Sequence, residues 1–311
     1  MQIKRLSIAV LVIIFTLFAG YGFIALAEHG PAGSHLVDVG PVSPDYGFPM
    51  WYEDANGLIL EPCLNPDLCF FFPPDPAAPI SFPDNFADEI FYWAAESLMI
   101  DATPPEAGDP TGKLGRAILT LALEGAFFNN GIVMGEQVVF GRIRIRVDNL
   151  AAGEIYTVTH PFGQDVFEAG VDAGPGVIKG PGISYVEDIG IGALGDFTGA
   201  FNSRIGPFLT WNPATAPVPP AGLTPAQVVG SPFGTNFFRI EGVNVGDPGS
   251  VHLCADPTLG PDPIATTDCI ESDLFSVQGK LATRFGVGIN GLTYSRNGLG
   301  AGSVNVFAGS V

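Results

Sequence analysis

Basic residues are scarce in this chain: 13 Lys and Arg stand against 32 Asp and Glu, giving a formal net charge of −19. A surface of that sign repels nucleic acid and anionic lipid, so neither is an expected partner. Histidine is rarer still, at four residues in 311. No GxSxG, HExxH, P-loop or EF-hand loop occurs, which removes the usual signatures of serine hydrolases, zinc proteases, P-loop nucleotide-binding enzymes and calcium sensors. Charged residues make up only 14% of the chain and hydrophobic ones 47%, a balance of folded rather than disordered proteins. The 41 glycines and 28 prolines disfavour long helices and favour many short strands joined by tight turns.

The one long apolar run opens the chain. In "MQIKRLSIAVLVIIFTLFAGYGFIALAEHG", Lys4 and Arg5 precede an uncharged stretch ending at Ala25-Leu26-Ala27, a small-x-small cleavage pattern. Residues 1–27 read as a secretory signal, and the run is long enough that an uncleaved anchor is the alternative. Cleavage removes two basic residues and no acid, so the mature chain is more acidic still and has no expected membrane span. The expected location is extracellular or at the cell surface.

Four cysteines fall as two local pairs, Cys63 with Cys69 and Cys254 with Cys269. Three connectivities are allowed, and local pairing is the simplest because each pair closes a short loop rich in Pro, Asp and Asn. A zinc reading is weak, since neither pair is a CxxC and no histidine accompanies them. Seven prolines lie from Pro62 to Pro83, so this segment is neither helix nor central strand. Phe70, Phe71 and Phe72, with Phe82 and Phe86, read as anchors pressing a proline-rich strap onto the neighbouring domain, with an exposed aromatic patch as the rival.

Strand signals follow. In "GFPMWYEDANGLILEPC", Asn56-Gly57 between apolar runs predicts a hairpin over residues 48–62. "AILTLALEGAF" is almost continuously apolar. "VVFGRIRIRVDNL" alternates strictly, with Ile143, Ile145 and Val147 on one face and Arg142, Arg144 and Arg146 on the other. A second hairpin is expected over 154–169 around Pro161-Phe162-Gly163. "GISYVED", "FLTW" and "NFFRIEGVNV" supply further strands. In "DNFADEIFYWAAESL", Asp84 suits a helix cap, but "IFYW" favours a strand, and a strand is expected. The expected fold is mainly β, an immunoglobulin-like antiparallel β-sandwich. Its parts are the hairpin and strap (28–83), the sandwich (84–250), the second cysteine loop (251–273) and C-terminal strands (274–311).

The runs "GFPMWYEDANGLILEPC", "FGRIRIRVDNLAAGEIYTVTHPFG", "RIGPFLTW" and "SPFGTNFFRIEG" resemble those of uncharacterised secreted bacterial proteins with immunoglobulin-like modules. That resemblance implies location and architecture and carries no site residues. Displacement by 167 positions adds eight identities in 29, laying Gly112-Lys113-Leu114 on Gly279-Lys280-Leu281 and Asn130-Gly131 on Asn297-Gly298. A true repeat makes residues 274–311 a partial second module; otherwise they are the last strands of one sheet.

Candidate sites are few. Asp256, Asp262 and Asp268 within "CADPTLGPDPIATTDC" offer oxygen ligands for calcium, the one cofactor considered, at a spacing that matches no calcium motif. Trp51 and Tyr52, with Trp211, are candidates for a carbohydrate-stacking platform, although docking of the hairpin needs the same residue types. The arginine ladder suits an anionic sugar or partner, with cross-strand pairing to the many acids as the plainer explanation. His160 falls in a hairpin turn, where a histidine more often faces solvent than serves as a base. Adjacent Glu187 and Asp188 point to opposite faces of a strand and are poor as a glycosidase pair. No catalytic residue is nominated. The expected function is a secreted or cell-surface, non-enzymatic protein that binds a polysaccharide or cell-envelope protein or builds an envelope layer. The alternative is a secreted hydrolase with a dispersed carboxylate site. An outer-membrane barrel fits poorly with the prolines and short strands.

Overall fold

The computed structural model describes residues 28–29, 35–129, 131–170, 180–212, 224–256, 264–282, 287–296 and 302–310. Residues 1–27, expected as a signal, Asn130, Asp262 and Asn297-Gly298 lie outside the described residues. No helix among the described residues is long and apolar enough to cross a membrane.

The chain is mainly β, with one short 3₁₀ turn among the described residues, at Thr198–Asn202. In order, β1 is Glu28–His29, β2 Leu36–Val39, β3 Tyr52–Asp54, β4 Ile59–Glu61, β5 Glu89–Thr103, β6 Gly115–Phe127, β7 Gln137–Val147, β8 Ile155–His160 and β9 Gly163–Glu168. There follow β10 Ile183–Ile189, β11 Thr210–Trp211, β12 Ala226–Val229, β13 Phe238–Glu241, β14 Leu253–Asp256, β15 Ile264–Ser272, β16 Leu274–Leu281, β17 Val287–Arg296 and β18 Gly302–Ser310. The chain divides into two compact units, and the described part of the smaller is the hairpin β17–β18.

In the larger unit an antiparallel main sheet runs β1-β2-β3-β4-β16-β5-β6-β7-β10, curls into a half-barrel, and takes β12 and β11 onto β16. A second sheet runs β14-β15-β13-β8-β9. Both contribute to one apolar core, in which Ile143, Ile145, Leu119 and Leu121 of the main sheet join Tyr156, Val158, Phe238 and Ile270 of the second. Trp93 sits in that core within 6 Å of Phe162 and Phe208, its indole N–H donating to Leu209 O at 3.1 Å. A buried indole usually finds such a partner, which Trp51 and Trp211 lack.

Local chemistry accounts for the turns. Asn56-Gly57 closes the β3–β4 hairpin with Gly57 at φ 79, and the Asp54 carboxylate accepts the N–H groups of Asn56 and Leu58. Gly163, at φ 142, ends the turn after β8. The run from Glu89 is a strand of 15 residues and contains no helix. Its two register shifts, between Phe91 and Trp93 and between Met99 and Thr103, bend it along the curled sheet.

At the displacement of 167, the two hairpins pair in the same register. Gly125 faces Val139 and Phe127 faces Gln137 in β6–β7; Leu292 faces Val306 and Tyr294 faces Val304 in β17–β18. β16, by contrast, is built into the main sheet between β4 and β5.

Candidate functional site

Alternation along β7 directs Ile143, Ile145 and Val147 into the core and leaves Arg142, Arg144 and Arg146 on the opposite, half-open face. Register sets their neighbours. Arg142 lies between Ala122 and Asp188, Arg144 between Thr120 and Val186, and Arg146 between Ile118 and Ser184. The middle row continues from Thr120 to Glu96 of β5 and Ser276 of β16. One face therefore extends from β10 to β16, and the second sheet does not cover it here: Leu98 is 42% and Val186 48% exposed.

One end of the ladder is closed. Arg142 grips Asp188 through two bonds of 2.7 and 3.0 Å and meets Glu124 at 2.8 Å, with its guanidinium 5.0 Å from the Phe140 ring centre. Glu124 is only 1% exposed, and burial pushes its carboxyl up to about 8, Arg142 pulling it back only in part. Asp188 faces outward with Arg142 while Glu187 faces inward to Arg204, so these adjacent acids do occupy opposite faces.

The next two rungs differ. Arg144 and Arg146 have no acidic partner among the described residues, and the Nε of each is buried without an acceptor. Cross-strand pairing, the plainer reading of the ladder, thus holds for Arg142 alone. Burial lowers the Arg144 pKa, and the positive charges of Arg142 and Arg146 lower it further. In the same row, burial raises the Glu96 carboxyl while Thr120 draws it back.

The far border of this face is the Cys63–Cys69 disulfide loop, one of two disulfides; the other joins Cys254 to Cys269. The three phenylalanines alternate. Phe71 is fully buried, while Phe70 and Phe72 are 43% and 73% exposed. The Phe70 N–H donates to Gln278 Oε1 of β16 at 2.8 Å, and its ring meets Phe91 edge-on at 6.1 Å. Pro66, Leu68, Phe70, Phe72, Val277 and Gln278 line a groove of about 230 Å³. Gln278 is itself buried, and its amide Nε2 has no acceptor.

Other nominated residues fall elsewhere. Trp51, Tyr52 and Trp211 are buried, at 1%, 0% and 6% exposure, and the Tyr52 hydroxyl donates to Phe197 O at 2.9 Å. They are core residues, because a stacking platform needs exposed ring faces. Among the described residues no three His, Cys, Asp or Glu side chains gather as metal ligands. Asp268 accepts the Asn244 N–H, and the backbone of Asp256 ends β14.

His160 is fully buried, contrary to a surface role. Its Nδ1 accepts the Phe162 N–H at 3.2 Å, so Nε2 carries the proton and donates to Asp165 at 3.0 Å. Arg204 then bridges Asp165 of β9 and Glu187 of β10 at 3.1 and 3.0 Å. Burial would raise the Asp165 carboxyl, but the His160 bond and Arg204 outweigh it and hold it below its ordinary value. This clamp joins the margins of the two sheets. Sequence reading missed it because Arg204 lies in a loop with no periodic signal.

No protein-family model, curated protein or solved structure matches the chain.

Proposed function

We propose that this is an exported, non-enzymatic protein that works outside the cell or at its surface, binding a polysaccharide or a cell-envelope protein through the open face of its main sheet. The observation that carries this reading is the continuity of that face from the aromatic groove at β16 to the arginine rungs of β7. Apolar ring surface and polar hydrogen-bonding groups on one broad, shallow surface suit an extended ligand. The export signal, the acidity and the two disulfides agree with an oxidising external compartment.

In this reading the proline-rich segment is a strap with a division of labour: Phe71 and Phe86 anchor it, and Phe70 and Phe72 face the ligand. The immunoglobulin-like origin is part of the same proposal and rests on the sequence resemblance and on the module-like recurrence of one hairpin register. The hydrolase alternative has less support. Glu124 with Asp188 and Asp165 with Glu187 are each tied to a single arginine, so neither pair is free to act on a substrate.

The test is retention of the purified mature protein on insoluble polysaccharides and on its own cell envelope, with and without calcium. Specific retention that falls when Phe72 is changed to Ala is the expected result. No retention on any matrix, with the protein monomeric and free in solution, would overturn the reading.

A further inference from the structure

The arginine ladder separates into one satisfied member and two unsatisfied ones. Arg142 has taken both Asp188 and Glu124. Arg144 is flanked by Thr120 and Val186, and Arg146 by Ile118 and Ser184, none of which carries charge. Two half-buried like charges, two residues apart on one strand, repel each other, and neither Nε has an acceptor; the acids that act on Arg144, Glu124 and Asp188, are already paired with Arg142, and Glu96 in its own row is bonded to Thr120. Local conflicts of this kind concentrate at functional sites.

We propose that Arg144 and Arg146 form an anion-binding subsite for the carboxylate groups of an acidic polysaccharide. The inference rests on the polysaccharide-binding reading above and names the ligand's chemistry. A guanidinium presents planar, forked donors that match a carboxylate, and such charge-assisted bonds are stronger when partly desolvated. Alternate residues of a strand lie about 6.8 Å apart, so an extended polymer bearing an acid on each repeat unit engages both rungs. Ser184, exposed beside Arg146, stands as a hydroxyl partner for the sugar. The rest of the acidic surface selects against polyanions that miss the ladder. Beyond a Debye length of about 8 Å at physiological salt that repulsion is screened, whereas the half-buried fork contact is screened much less.

The experiment is retention of the full mature protein on polygalacturonate, dextran sulfate and neutral dextran beads and on its own cell envelope, at physiological ionic strength. The wild type is expected to bind polygalacturonate, and Arg144→Gln/Arg146→Gln to weaken it by about tenfold or more, the scale of one lost charge-assisted hydrogen bond. A second pair of variants guards against misfolding. Ser184→Asp and Val186→Asp place a carboxylate directly opposite Arg146 and Arg144, and each is expected to abolish retention while keeping or raising the unfolding midpoint. Stronger binding to dextran sulfate with the same dependence on both arginines would replace carboxylate with sulfate and overturn the ligand class. Retention on polygalacturonate that none of these variants changes would overturn the subsite. Retention on neutral dextran or cell envelope alone would overturn the subsite and leave the binding function standing. Failure on every matrix, envelope included, removes both.

Discussion

Arg142 and Arg144 are two residues apart on one strand and share a face, yet one is locked between two acids and the other has none. The difference comes from their neighbours. Asp188 reaches Arg142 because β10 pairs with β7 in a register that sets it opposite; one row further on, the same register brings Val186. Identical residues at identical spacing thus serve opposite ends, one fastening the sheet and one leaving charge available. Substitutions can break the comparison at either end.

The largest effect is expected at the closed end, and it depends on pH. Glu124 has a folded-state pKa raised from 4.5 to about 8, so between those values the folded protein holds a proton that the unfolded chain has lost. Its contribution therefore weakens stability as pH rises through that window. Above pH 8 the ionised carboxylate depends on Arg142. Arg142→Gln should cost about 3–5 kcal/mol at pH 9, where it strands a buried charge, and only about 1–2 kcal/mol at pH 6, where hydrogen bonds are the main loss. Urea unfolding at the two pH values checks this, and an equal cost at both would mean that Glu124 is ionised throughout. Glu124→Gln should remove the slope between them.

A comparable contrast lies in the proline-rich segment. Phe71→Ala empties a fully buried site and should cost about 3–5 kcal/mol, whereas Phe72→Ala should change stability by less than about 0.5 kcal/mol. Equal costs would show that Phe72 packs in solution and would remove it from the proposed binding face. The two disulfides differ more mildly. With cysteines 15 apart, changing Cys254 and Cys269 to Ser should cost about 3 kcal/mol; for Cys63 and Cys69, separated by six, about 2 kcal/mol is expected.

What could be read from the sequence was local. The Asn56-Gly57 turn, the turn ending at Gly163 and the alternation of β7 each depend on a few contiguous residues, and each appears where the pattern put it. What could not be read depended on partners distant in sequence. Nothing near Gln278 announces that β16 enters the main sheet between β4 and β5, and so nothing announces the floor of the groove. Trp51 and Tyr52 have the composition of a sugar platform and of a hairpin's docking face alike; tertiary packing decided for the core. The three phenylalanines carried a usable signal. In an extended segment, period two sets Phe71 against its two neighbours, although only the sheet beneath determines which side is buried.

The smallest effect tests the open rungs most directly. If Arg144 has no partner in the free protein, Arg144→Gln should alter stability by no more than about 0.5 kcal/mol. The sign at low salt should favour the variant, because the substitution relieves repulsion from Arg142 and Arg146. That small gain should shrink as the Debye length falls from about 30 Å at 0.01 M salt to about 3 Å at 1 M. A loss above about 1.5 kcal/mol, independent of salt, would exceed what an unpaired, half-open charge contributes. Arg144 would then hold an internal partner as Arg142 does, and the contrast between the two ends of the ladder would disappear.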